Sequence, residues 1–453
     1  MSPDRFAGKI ASLIRAAGPY EETPVVCVAV SGGSDSMALA LSVDAWARTV
    51  GGRVIGLTVD HRLRAGSTDE ADRVNRWLGH HQIEHHTLTW VDPDGSRALQ
   101  NTARIARYGL LEGWCRDHHI LHLFLGHTAD DQAETFLMRR DKGSGPDGLS
   151  AMSMITERQH YRLLRPLLSV RRTALQTYLA QRQQSWLDDP SNHNEEFERI
   201  RWRRMLALEQ QAPDSYCNQA MTFGQDRRTR DGAVADLAGR CVSIDPAGFI
   251  RIDRRHVRSA PTELARRLVG RALMVVGGDI YPPRQVKLSD LLAIVRGPYE
   301  TTRTLSRCRI ECRETEILVM RELRFLPYPQ TVRPGMALSW DNRFALRLKP
   351  DPFVFPPTMR LQPLGADGDR QVCSGMSENV FVDRLPRNIR LALPALVDEN
   401  RVLCVPHLDF CLPDGKGSSV GWQTYFDNVV FQSLNSLSGT GYFVANLEKQ
   451  AIS

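Results

Sequence analysis

The stretch that most constrains this chain is Val25 to Leu41. An unbroken apolar run, Val25-Val26-Cys27-Val28-Ala29-Val30, leads into Ser31-Gly32-Gly33-Ser34-Asp35-Ser36 and then into a segment with helical spacing. A buried strand, a tight glycine turn and a helix start make a phosphate cradle. Glycines admit an anion where a Cβ would obstruct it, serines supply short hydroxyls, and the helix turns its unpaired N–H groups toward the same point. The loop lacks the Gly-Lys-Ser/Thr ending of the common triphosphate loop and carries Asp35 instead, a hard oxygen ligand suited to Mg²⁺ held against pyrophosphate. An ordinary serine/glycine turn is the competing account, and motifs farther along bear on the choice.

Short apolar runs alternate with helical periodicity from Pro24 to about Val170. Strands are expected near 25–30, 53–59, 85–90 and 121–125, and helices near 37–48, 68–80, 100–118 and 129–140. This pattern predicts an α/β fold, a doubly wound parallel sheet, followed by smaller helical and α+β C-terminal domains. In such sheets ligands sit at the carboxyl ends of the strands, where the Ser31 loop, Asp60-His61 and Gly126-His127 all fall. The expected divisions are 1–220, a nucleotide-binding catalytic domain with an Arg-rich helical extension; 221–330, a central RNA-binding domain; and 331–453, a C-terminal α+β domain. Eleven Arg face six Asp or Glu between Met221 and Arg271, on a segment expected to be stranded first and helical later.

Gly126-His127-Thr128-Ala129-Asp130-Asp131-Gln132-Ala133-Glu134-Thr135 is the second strong signal. Once helical, His127, Asp130 or Asp131, and Glu134 recur three to four apart and share a face. Acidic residues in a first turn also suit the helix dipole, so capping alone could account for the Asp pair. Beside a phosphate loop, a histidine with a carboxylate pair suits proton transfer or binding of a cationic amine.

The Ser-Gly-Gly-x-Asp-Ser loop resembles the signature of the ATP pyrophosphatase (PP-loop) family, and the His127 block resembles that of its tRNA(Ile)-lysidine synthetase branch. Val59-Asp60-His61-Arg62-Leu63-Arg64, Ala103-Arg104-Ile105-Ala106-Arg107-Tyr108, Arg165-Pro166-Leu167-Leu168 and Asp189-Pro190-Ser191-Asn192 with Phe197, Arg199, Arg201 and Arg203 are similar to further motifs of that branch. Agreement runs over about 25–205. It fails at Arg140-Asp141-Lys142-Gly143-Ser144-Gly145, where the family shows an Arg-Gly-Ser/Thr-Gly loop, and it is faint in the C-terminal part.

The resemblance implies a ligase that spends ATP to join free L-lysine to C2 of the wobble cytidine in an isoleucine tRNA with a CAU anticodon. ATP would contact Ser31, Gly32, Gly33, Ser34, Asp35, Ser36, Asp60 and Arg107, with Asp35 on Mg²⁺. Asp35, His127, Asp130 and Asp131 would be catalytic; Asp130, Asp131 and Glu134 would form the lysine pocket; Arg104, Arg199, Arg201 and Arg203 would bind tRNA. Three other readings stay open at this point: a tRNA-thiolating relative, a small-molecule amidating relative, and a nucleotide-gated RNA-binding module without turnover.

A net charge of +6 and a pI near 8.9 suit an acidic partner. The nine cysteines are scattered with no Cys-x-x-Cys, which argues for reduced packing residues and against thiolation chemistry. Cys308 and Cys312 would share one face of a strand. No segment reaches the roughly 18 apolar residues of a membrane helix, so no membrane partner and a cytoplasmic location are expected. A homodimer is one assembly the sequence leaves open.

Overall fold

The computed structural model describes residues 3–62, 66–90, 100–158, 160–187, 202, 205–206, 212–279, 281–351, 358–375, 384–412, 421–438 and 443. The chain divides into two compact units, Met1–Thr229 with Gly441–Ser453, and Arg230–Thr440.

In the first unit, β1 (Val25–Ala29), β2 (Arg53–Asp60), β3 (Glu84–Thr89), β4 (His122–Phe124), β5 (Ile155–Glu157) and β6 (Arg162–Leu164) form one sheet in the order β3-β2-β1-β4-β6-β5. All neighbours are parallel except β5, which runs antiparallel on the edge. The central strand β1 is apolar throughout because both its faces are covered: Val26, Cys27 and Val28 are fully buried. Val26 pairs with Val54 of β2 on one side and with His122 of β4 on the other, so the winding reverses at β1. That reversal opens the crevice in which doubly wound sheets bind ligands. Helices α1 (Pro3–Ala16), α2 (Ser34–Thr49), α3 (Ser67–His80), α4 (Gln100–Asp117), α5 (Ala129–Asp141), α6 (Pro146–Leu149) and α7 (Arg172–Gln181) connect or cover the strands. One core cluster joins Ile10 and Leu13 of α1, Met37 and Leu41 of α2, and Leu175, Tyr178 and Leu179 of α7. The doubly wound parallel sheet expected from the sequence is therefore present.

The segment expected to be stranded from Met221 is instead helical, within the 30-residue helix Ala212–Cys241. Its buried positions are Pro213, Cys217, Ala220, Gly224, Asp231, Val234, Ala238 and Cys241. Apart from the gap between Gly224 and Asp231 they fall three or four apart, but most are small or charged, so the stripe carries little hydrophobic signal.

The second unit is built on antiparallel sheets. Val242–Asp245, Phe249–Asp253, Glu316–Arg321, Cys308–Cys312 and Thr301–Leu305 lie side by side in that order. Helices Thr262–Gly277 and Gln285–Arg296 share one core cluster with this sheet. A second five-stranded sheet holds Met359–Pro363, Pro394–Asp398 and Arg401–Val405 at its centre, and a three-stranded one joins Ala337–Trp340, Phe344–Leu348 and Phe426–Phe431. Cys308 and Cys312 share the buried face of their strand, as expected. Among the described residues no helix is long and apolar enough to cross a membrane, and no three His, Cys, Asp or Glu gather as a metal site.

Candidate active site at the β1 and β4 strand ends

The loop after β1 is shaped by its own residues. Gly32 has φ +86°, a conformation that side chains disfavour, and a Cβ there would stand 2.5 Å from Leu187. Leu187 also donates its N–H to the Gly32 carbonyl at 2.8 Å, so chain beyond α7 lies against the turn. Ser36 is buried; its hydroxyl donates to the Gly33 carbonyl (3.0 Å) and accepts from the Ser31 N–H (3.2 Å). Ser31 itself is exposed. Gly33 precedes α2 in extended conformation and no side chain caps the first turn, the arrangement by which helix N-termini receive anions. Ser36 thus holds the loop's shape, while Ser31 stays exposed and the helix start is left without a side-chain cap.

At the end of β4, Gly126 lets two backbones meet. A Cβ there would lie 3.1 Å from the Asp35 carbonyl carbon and oxygen and 3.1 Å from the Ser36 Cα. His127 follows, half-buried, and Thr128 caps α5 in a reciprocal box: the Asp131 carboxylate accepts from the Thr128 N–H at 2.8 Å and from its hydroxyl at 2.9 Å. Capping is therefore part of what Asp131 does. Its other oxygen lies 3.6 Å from the Arg172 guanidinium. Glu134, one turn on, is almost wholly buried.

Asp130 turns toward α7. One oxygen accepts from the Arg172 backbone N–H at 2.8 Å and the other from Arg171 Nε at 3.2 Å. The Arg172 side chain then reaches across to Asp35, Nε to Oδ2 at 2.8 Å. Burial raises the Asp35 carboxyl above the ordinary range, opposed by Arg172 and reinforced by Asp131. Burial likewise disfavours the Arg172 charge, but Asp35, Asp131 and Glu134 outweigh it and hold the guanidinium firmly protonated. Asp35, Asp131 and Glu134 are thus gathered around one arginine, whose backbone Asp130 pins.

Sequence reasoning passed over Arg172, although a signal existed. Two consecutive arginines opening a helix stand at the end whose dipole repels cations, so they need carboxylates nearby.

The other expected residues separate into groups. Asp60, at the end of β2, accepts from the Ser67 hydroxyl (2.7 Å), the Arg62 N–H (3.0 Å) and the Thr68 hydroxyl (3.0 Å), tying the turn to the start of α3. Burial works against its charge, but these bonds prevail and hold the carboxyl below its usual range. His61 packs edge-on against Trp90 with ring centres 5.9 Å apart. Burial and the nearby positive charge of Arg107 depress its pKa. Arg107 is half-buried, its guanidinium 5.5 Å from the Tyr108 ring centre. The Arg104 side chain, Arg199, Arg201 and Arg203, and the turn Asp189–Asn192, lie outside the described residues.

This arrangement can hold a polyphosphate at the α2 start beside carboxylates able to neutralise a cation or take a proton. A divalent ion bound chiefly through phosphate oxygens and water needs only one or two carboxylates from the protein. Asp35 and Asp131 fit that need, and the Arg172 guanidinium already stands between them as a cation.

The chain is also similar in sequence to known proteins. The family model described as a PP-loop domain matches residues 4–210. The tRNA(Ile)-lysidine synthase of Orientia tsutsugamushi is 34% identical over 337 residues, covering 72% of this chain and 76% of that protein. That of Ruegeria pomeroyi is 35% identical, covering 71% and 76%, and that of Hyphomonas neptunium 38%, covering 68% and 83%. With a strand-loop-helix cradle, an acid-bearing second helix and relatives matched over most of their length, the chain belongs to the tRNA(Ile)-lysidine synthase family.

Proposed function

We propose that this protein uses ATP to adenylate O2 of the wobble cytidine in an isoleucine tRNA with a CAU anticodon, after which free L-lysine displaces AMP at C2 to form lysidine. In the first step O2 bonds to the α-phosphorus of ATP and pyrophosphate leaves. In the second the lysine ε-nitrogen bonds to C2, the C2–O2 bond breaks, AMP departs with that oxygen, and the amine gives up a proton. The observation that carries this reading is the contact at Gly126, which sets the phosphate loop directly against the helix bearing Asp131 and Glu134.

Ser31, Gly32, Gly33, Ser34 and Ser36 would receive the β- and γ-phosphates, with Asp60 and Arg107 supporting the nucleotide from the β2 side. Mg²⁺, when bound at Asp35, would neutralise charge on the leaving pyrophosphate. Asp131 and Glu134 would draw the lysine ammonium in, and His127 would assist in taking the proton that must leave before nitrogen attacks. Asp130 would act at one remove, through the α7 backbone. Arg104, Arg199, Arg201 and Arg203 would hold tRNA through phosphates, so binding should fall steeply with salt. The reaction would take place in the cytoplasm, with a homodimer as one assembly compatible with it.

A thiolating role is less well supported. Cys217 lies near this helix, its thiol donating to the Ala129 carbonyl at 3.2 Å. Burial, with Asp130 and Asp214 nearby, pushes it up to about 12, which suppresses the thiolate. The deciding assay supplies ATP, labelled lysine and unmodified CAU-anticodon isoleucine tRNA. Label in RNA, with pyrophosphate release requiring both lysine and tRNA, is expected; pyrophosphate without label in RNA would overturn the assignment.

A further inference from the structure

We infer that Arg172 is a built-in counter-cation for Asp35, and that Mg²⁺ enters this site with nucleotide by exchanging with the Arg172 guanidinium. The inference rests on reading Asp35 as the metal-binding carboxylate. Arg172 meets Asp35 through Nε at 2.8 Å and Asp131 at 3.6 Å, the two carboxylates best placed to share a cation. Without it, Asp35, Asp131 and Glu134 would lose the cation they share beside the phosphate loop, and like charges drawn together disfavour one another's ionisation.

Two features make the ion pair exchangeable rather than a permanent brace. The side chains of Arg172 and Asp35 are 25% and 18% exposed, so solvent and ions reach the pair. In addition, α7 does not depend on it for its place: Leu175, Tyr178 and Leu179 are buried in the core and Asp130 holds the Arg172 backbone N–H. The guanidinium can leave while the helix stays. Its presence also means that free Mg²⁺ competes against a tethered charge, whereas Mg²⁺ arriving with a polyphosphate brings the anion that can receive the displaced arginine. Metal and nucleotide binding are coupled for that reason, and the coupling is reciprocal.

The test is calorimetric titration of the full chain with Mg²⁺ alone, and with Mg²⁺ in the presence of a non-hydrolysable ATP analogue. Removing a charge-assisted hydrogen bond that opposes the metal should tighten Mg²⁺ binding to folded Arg172→Gln roughly tenfold and shrink the metal–nucleotide coupling by a similar factor. Arg172→Lys, which keeps the charge, should stay near the parent. A brace with no exchange role gives the opposite result, unchanged or weaker Mg²⁺ binding in Arg172→Gln with its circular dichroism intact, and that overturns the inference. Should Arg172→Gln not fold, nuclear magnetic resonance of the parent decides: the Arg172 Nε–H should exchange with water roughly ten times faster once Mg²⁺ and analogue are added, and no change counts against it. Asp35→Asn separates the two levels. If it binds Mg²⁺ and analogue as well as the parent, the metal-ligand reading itself fails; if it loses binding while Arg172→Gln gains none, only the exchange fails.

Discussion

Two withdrawn arginines, one in each unit, are held in opposite ways. Arg254 is fully buried and donates to four backbone carbonyls: Val295 at 2.8 Å, Arg313 at 2.6 Å, Gly297 at 2.7 Å and Tyr299 at 2.8 Å. Val295 and Gly297 belong to the end of helix Gln285–Arg296, where the dipole welcomes a cation. Arg172 sits at the start of a helix, where the dipole repels it, and carboxylates supply the compensation. An arginine locked by carbonyls at a favourable helix end is part of the frame. One kept at an unfavourable end by ionised side chains that could serve another cation marks a site.

The sharpest way to break this contrast is Asp35→Ala, which should lower lysidine formation by roughly 10³-fold, the scale of losing a charge-stabilising group, with little change in the melting of the second unit. Retained activity would place the chemistry elsewhere. Next comes Arg254→Met, which leaves buried carbonyls without donors and should cost the second unit about 3 kcal/mol in urea unfolding. A neutral result would remove the structural half of the comparison. Fixed guanidinium charge also burdens its neighbours: burial, then Arg343, pushes His407 down to about 4 from 6.5. A depressed histidine contributes stability above 6.5 that is lost as pH falls toward 4, so acid unfolding should weaken the second unit across that window by up to ~3 kcal/mol. His407→Asn should flatten that slope. Smallest is Thr128→Ala, which removes a helix cap beside the site and should cost about 1 kcal/mol in thermal unfolding. A much larger fall in activity than in stability would show that the cap also orients Asp131.

How much of this was legible in the sequence depends on where the information lay. The β1 strand, its glycine loop and the α5 block announce themselves because continuous apolar runs, positive-φ glycine and a first-turn Thr-x-x-Asp are local signals. Strands β5 and β6 are three residues each and, unlike the equally short β4, stand in no longer apolar run that would betray them. The helix through Met221 hid because its buried stripe includes Gly224 and Asp231. Asp60 accepts from partners close by in sequence, the Arg62 N–H and the Ser67 hydroxyl, whereas Asp130 accepts from the Arg172 N–H and Arg171 Nε, distant in sequence, a pairing set by tertiary contact that no spacing rule reveals. The arginines opening α7 signal a need for carboxylates, but not which one: Asp35 is remote in sequence and meets Arg172 only when α2 and α7 pack together.

Gly126 carries one last implication. Since the chain at that point rests on the main chain of Asp35 and Ser36 with no side chain to cushion it, neither turn can drift without dragging the other. Adjustment to an incoming reactant then falls to side-chain rotamers, and the two turns should keep the same spacing whether or not nucleotide is bound.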